Sequence, residues 1–220
     1  MVLTMSSTVP AVPNDPLEND VAQRIALRTL SRRGSEYAGE VRRLLDAALD
    51  VMRRCGTGSR PRVADIVAEA GLSNDAFYRH FPSKDALVAA LLEDGTERLL
   101  GYLAHQMAKE ATPEAQVRRW VEGVLSQAAD EEIAATTLAV LWNGGSVGQG
   151  LRSASHPLGT LLREPFAELG SADPDLDAAF VAHAVVGRLS DYLWDRVHPS
   201  RAVIERTTEA CLAVARAGRP

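Results

Sequence analysis

The chain has 220 residues, 46% of them hydrophobic, and a net charge of −5, enough apolar material for one large or two small domains. Its two cysteines, Cys55 and Cys211, lie far apart without metal-ligand spacing, which excludes a disulfide scaffold and a cysteine metal centre. No apolar run approaches the ~20 residues of a membrane span, and residues 1–16 lack the basic start and apolar centre of a secretory signal. The expectation is a cytoplasmic protein with reduced thiols and no membrane partner.

The charge is unevenly spread. Residues 22–84 carry 12 Lys+Arg against 7 Asp+Glu, a net of +5. Residues 85–220 carry 12 against 19, a net of −7. A basic first part on an acidic body is the pattern of a protein that meets phosphates at one end only.

Taken in order, residues 1–19 are rich in Pro, Ser, Thr and Asn without periodicity, the composition of a flexible tail. Residues 20–33 can form a short basic helix carrying Arg24, Arg28, Arg32 and Arg33. It reads either as an arm that follows a DNA backbone or enters a minor groove, or as a solvated extension. A helix over 36–54 follows, with Val41, Leu44, Leu45, Ala48, Leu49 and Met52 at three-to-four-residue spacing. Cys55-Gly56-Thr57-Gly58 ends it.

The next stretch, Ser59 to Leu87, organises the chain. Ile66, Val67 and Ala70 share a helix face. Gly71 follows, where a positive φ ends a helix without strain. Ser73 can cap a second, short helix from Asn74 to about Phe81, and Pro82 stops it. Ser83 caps a third. A helix, a Gly-containing turn and a short helix with polar residues at its start are the parts of a DNA-reading helix-turn-helix.

A long helix then runs from Lys84 to about Lys109, on the order of 40 Å at 1.5 Å per residue, with Gly95 as a candidate bend. Thr112 and Pro113 open a helix to about Ala129. Asp130-Glu131-Glu132 start another, to about Trp142. Residues 143–150 read as a helix-to-helix turn. Between 151 and 170, Pro157 and Pro165 are expected to break or kink an apolar segment. Asp173-Pro174 start a helix to about Val197 with a face of Leu176, Phe180, Ala184, Gly187, Leu189 and Leu193. Pro199 starts the last helix. No strand-like alternation appears, so the fold class is all-α.

Ile66, Ala70-Gly71-Leu72-Ser73, Phe77-Tyr78, His80-Phe81-Pro82-Ser83-Lys84 and Leu87 together resemble the DNA-binding segment of TetR/AcrR-type transcriptional regulators. The resemblance covers roughly a quarter of the chain once the preceding helix is counted, and the Tyr78/Phe81 pair followed by Pro-Ser-Lys makes it specific. It implies three parts: a basic N-terminal extension over 1–34, a three-helix DNA-binding domain over 35–82, and a helical effector-binding and dimerisation domain over 83–220.

The second helix of the motif would place Asn74, Asp75 and Ala76 at base edges, with its cap Ser73 also counted among the DNA-binding residues. Asn suits adenine, and an Ala methyl suits a thymine methyl. Asp75 either accepts from a cytosine amino group or only favours the helix dipole. By resemblance Tyr78 and His80 contact phosphates, with Arg79 beside them. Lys84 stands at a helix start that can hold a phosphate, and Arg62 occupies a position where the family frequently has a phosphate-binding Thr.

So small a reader needs two copies on a palindrome. A homodimer is therefore implied, and the two C-terminal helices resemble those that form an intersubunit bundle in this family. The family's helical body also holds a small-molecule pocket. Tyr102, His105, Met107, Trp120, Trp142, Phe166, Phe180 and His183 are the candidate walls here, for a mostly apolar effector. No nucleophile–base pair, metal-ligand set or cofactor motif appears. The function expected is a ligand-released repressor on double-stranded DNA, and not an enzyme. The alternatives are an activator of the same fold and a helical dimerisation module that binds no DNA.

Overall fold

The computed structural model describes residues 21–143 and 155–217, all-α with no strand among them. The chain divides into two compact units, Met1–Val41 and Arg42–Pro220. The expected turn at 144–150, and Leu151, lie outside the described residues.

The division falls inside α1, a 35-residue helix from Val21 to Cys55. Two helices, over 20–33 and 36–54, are expected from the sequence; the structure has one. Gly34 does not interrupt it, because a single helical glycine costs only about 1 kcal/mol relative to alanine. Across it the Ser35 hydroxyl donates to the Ser31 carbonyl at 3.0 Å, and Arg32 pairs with Glu36 one turn on at 3.6 Å. Residues 30–39 are all exposed.

In the second unit, the later part of α1 buries Leu44, Ala47, Ala48, Val51 and Met52. Two short helices follow, α2 (Val63–Ala70) and α3 (Asn74–His80), then α4 (Lys84–Met107). The starts of α3, α4 and α5 (Pro113–Leu125) all carry hydroxyl caps. Ser73, Ser83 and Thr112 accept from the backbone N–H groups of Ala76, Ala86 and Ala115, each satisfying a donor with no helical partner. Gly95 lies inside α4 without ending it. α5 stops at Leu125, and a 3-10 turn (Ser126–Ala128) continues it to the length expected.

The bundle is built on α5, which packs against α4, α8 (Arg163–Leu169), α9 (Pro174–Asp195) and α10 (Arg201–Arg216). Val117, Trp120, Val121, Val124 and Leu125 are fully buried there. Gly123 sits where α5 meets α4 most closely, since a Cβ at that position would overlap the Leu103 side chain. α6 (Glu131–Asn143) packs against α4 and α9.

The segment is interrupted at 161–162, a turn separating α7 (described over residues 155–160) from α8, while both prolines expected to break it lie inside the helices. Pro165 falls in the first turn of α8, where a missing N–H is harmless. The Trp120 indole N–H donates to the Leu158 carbonyl at 2.9 Å. α10 begins at Arg201 with Ser200 as cap, two residues later than Pro199.

α9 turns a different face to its own core than expected. Ala178, Val181, Ala182, Val185, Val186, Leu189 and Leu193 are buried, while Leu176 and Phe180 are 64% and 63% exposed. The helix is apolar on both sides. A one-stripe reading joined residues that belong to opposite faces.

Candidate nucleic-acid interface

α2, the turn and α3 are held by local chemistry. Gly71 has φ 63° and ψ 36°, and its N–H closes on the Ala68 carbonyl while Leu72 N–H returns to Val67. This is the left-handed helix end that glycine adopts freely. An added Cβ would meet nothing within 4 Å there, so a substitution tests backbone conformation alone. Gly71→Ala is expected to lower the unfolding free energy by about 1 kcal/mol, measured by urea denaturation; an unchanged midpoint would refute the argument.

From the Gly71 turn, α3 rises on a buried base. Ala76 and Phe77 are 4% and 0% exposed. The Phe77 ring meets Tyr78 edge-on at 5.2 Å between centroids and Phe81 at 5.9 Å. Asn74, Asp75 and Arg79 are exposed, Tyr78 is 57% exposed, and His80 is half-buried. α3 therefore presents a short polar face from a fixed aromatic footing.

One expected contact is corrected: Ala76 faces inward, so its methyl is not available to a thymine. Ser73 caps α3 as expected, accepting from the Ala76 N–H at 3.1 Å, and its O–H can still donate.

Arg62 is 78% exposed and forked onto Asp65, with Nε 3.0 Å from Oδ2 and a terminal nitrogen 2.8 Å from Oδ1. That hydrogen-bonded guanidinium holds the Asp65 carboxyl below its ordinary range. Asp65 also accepts from the Arg62 backbone N–H at 3.3 Å, closing the start of α2. Lys84 reaches the Pro61 carbonyl at 3.5 Å, a marginal contact. Beside the motif, Arg54 pairs with Glu69 at 2.6 Å.

The eight residues expected to wall an effector pocket are dispersed. Trp120 and Phe166 are fully buried, and Met107 nearly so. Tyr102 is 49% exposed, and His105 lies on the surface. Trp142 pairs edge-on with Trp194 at 5.7 Å. Phe180 and His183 stand on the outer face of α9, where His183 Nδ1 is 2.7 Å from the Ala179 carbonyl.

A cavity of about 210 Å³ lies elsewhere, among α1, α4, α6, α7 and α9, lined by none of these eight. Leu91, Leu92, Leu99, Val140, Leu141 and Leu189 make it apolar; Thr136, Thr137 and Gln127 add polar groups. The pattern-based reading favoured aromatic residues. These walls are aliphatic, and only the apolar character of both sides of α6 (Ile133 to Trp142) hinted at them. Cys211 is not a candidate nucleophile, because burial pushes its thiol up to about 12.

A short capped helix following a Gly turn, backed by two further helices, defines a helix-turn-helix protein. Residues 44–91 match the model of the tetR family of bacterial regulatory proteins. Solved structures give the same assignment for the fold. A TetR-family transcriptional regulator from Mesorhizobium loti MAFF303099 aligns at TM-score 0.60 and 18% identity over 82% of this chain and 96% of that one. RolR in complex with resorcinol aligns at TM-score 0.60 and 20% identity over 85% and 97%. FadR of Bacillus subtilis in complex with stearoyl-CoA aligns at TM-score 0.53 and 15% identity over 81% and 98%. No curated protein matches by sequence. The chain carries a tetR-family helix-turn-helix on the all-helical fold of TetR-family transcriptional regulators. Among the described residues no helix is long and apolar enough to cross a membrane.

Proposed function

We propose that this chain is a cytoplasmic, non-enzymatic repressor that binds a palindromic operator as a homodimer and is released by a small, mostly apolar effector. The observation that carries the DNA-binding part is the polar face of α3, with Asn74, Asp75, Tyr78 and Arg79 exposed above buried Ala76 and Phe77. In a major groove Asn74 offers both atoms needed by adenine, and Asp75 an acceptor for a cytosine amino group. Tyr78, Arg79 and His80 serve the phosphates alongside, and Lys84 adds an ammonium beside the start of α4. Arg62 can exchange Asp65 for a phosphate cheaply, because an exposed ion pair contributes little.

The α9–α10 face supports dimerisation. Phe180, Ala184, Val203, Ala210 and Val214 line an open apolar groove, and Leu176 lies one turn before Phe180 on α9. A second copy laid against it would complete a four-helix bundle.

For the effector, the aliphatic cavity is the better candidate than the dispersed aromatic set. Its wall includes α4, which begins directly after the helix-turn-helix. A ligand that fits only one placement of α4 shifts the protein toward that placement. RolR was solved with resorcinol and FadR with stearoyl-CoA, so the fold accommodates ligands as different in size as a dihydroxybenzene and a long-chain acyl-CoA.

The test is fluorescence anisotropy against the DNA upstream of the gene, titrated with salt. A palindrome-containing duplex should bind more tightly than random DNA of equal length. Arg79→Ala should weaken binding to all sequences and lower the salt slope by about 1 per subunit. Asn74→Ala should relax selectivity at one base pair per half-site, by about 1–3 kcal/mol. Equal affinity of the wild type for both duplexes refutes the reading.

A further inference from the structure

α6 separates two cavities. Its Thr136, Thr137, Val140 and Leu141 line the aliphatic one. Its opposite side, Ala134, Ala135, Leu138 and Ala139, floors a second cavity of about 330 Å³. Arg53 and Thr57 close this second space from the end of α1, and Tyr192, Arg196 and His198 from the end of α9. Small apolar side chains below and polar groups at the rim fit an amphiphile better than a wholly apolar ligand.

The cations of the rim are not equivalent. Arg53 is already committed to carboxylates, 2.8 Å from Glu132 and 3.6 Å from Asp50. His198 Nδ1 lies 2.9 Å from the Ala128 carbonyl, so that nitrogen carries the proton and donates. Arg196 has five donors but one polar contact among the described residues, with the Thr57 hydroxyl at 3.3 Å. Glu131 lines the same cavity without pairing with it.

Arg196 is also the one non-glycine among the described residues with a positive φ, at φ 54° and ψ 44°. That conformation carries a steric cost for any residue with a Cβ. An arginine therefore stands where glycine fits better, and its guanidinium lines a cavity wall without a carboxylate partner among the described residues.

We infer that this second cavity binds a small organic carboxylate with a compact apolar body, its carboxylate on the Arg196 guanidinium and its apolar part on the alanine-rich side of α6. A guanidinium fork matches a carboxylate in geometry as well as charge. The occupant would bridge the last turn of α1 to α6 and the end of α9, on the side of α6 away from the aliphatic cavity. The site is independent of the effector assignment made above.

Phenylacetate is a suitable probe, titrated calorimetrically into the full-length protein. Arg196→Gly should weaken it at least tenfold, while the ligand-free thermal midpoint does not fall, because glycine relieves the positive φ. Ala135→Leu, at an exposed position on the cavity floor, should weaken it comparably by filling space. Phenylacetamide, of the same shape without the charge, should bind the wild type at least tenfold more weakly. The inference is overturned if phenylacetate does not bind at millimolar concentration, if Arg196→Gly binds it as the wild type does, or if phenylacetamide or inorganic phosphate binds equally well.

Discussion

Replacing Trp120 by alanine is expected to lower the unfolding free energy by about 4 kcal/mol, within the usual cost of deleting a buried aromatic side chain. Two separable effects contribute. Trp120 is fully buried among α5, α7 and the rest of the bundle core, so its removal leaves a cavity at the helix that most others pack against. Its indole N–H also serves the Leu158 carbonyl at 2.9 Å. That carbonyl lies near the end of α7, where a helix runs out of internal donors. Losing the donor leaves a buried acceptor unsatisfied, at about 1–3 kcal/mol. Trp120→Phe keeps most of the volume and removes the hydrogen bond. It should therefore cost less than alanine but more than about 1 kcal/mol. Guanidinium denaturation followed by circular dichroism, at one fixed protein concentration, measures both. A loss below about 1.5 kcal/mol for Trp120→Ala would mean that the core collapses around the gap and that α7 is held by other contacts. Leu158 also lines the aliphatic cavity, so the Phe variant should alter effector response more than its stability loss alone accounts for.

The contrast between Trp120 and the other tryptophans shows where the sequence was informative. The helix-turn-helix was legible because its determinants are local. Gly71, Ser73 and Ser83 act within three residues of where they stand, and each forms the cap its identity favours. Thr112 and Asp173 behave the same way at the starts of α5 and α9. Gly34 misled for the same reason: read locally it is a breaker, yet one glycine does not outweigh the helix on either side of it.

The pocket residues depended on tertiary placement, which residue type does not encode. Trp120 and Trp142 were expected on a pocket wall, but Trp120 fills core while Trp142 meets Trp194 edge-on. Both cavities take one wall from α6, whose apolar residues occupy two sides. α9 posed the same difficulty. A helix that is apolar all round has partners on both sides, and periodicity cannot say which partner belongs to the same chain.

The outer side of α9 carries the other large expected effect. Phe180→Asp should convert the proposed homodimer to monomers, raising its dissociation constant roughly a thousandfold. Phe180 is 63% exposed in the single chain, so little of its side chain contributes to the protomer's own core. In the proposed dimer it would be covered twice, once from each copy. Burying a side chain of this size contributes about 1.5–3 kcal/mol, and two copies together contribute about 4 kcal/mol, which is three decades in affinity. An aspartate in the same place adds an unpaired charge that association would have to desolvate, which acts in the same direction. The protomer should keep its helical content and its chemical-denaturation midpoint under monomeric conditions, because Ala178, Val181, Ala182 and Val185 on the inward side are untouched. Sedimentation equilibrium separates the outcomes. A monomer of unchanged helicity supports this face as the dimer interface, whereas a dimer of unchanged affinity removes it. Binding to a full palindrome should fall together with dimerisation, while binding to an isolated half-site stays as weak as it was, because the α3 face is not altered and only the second copy is lost.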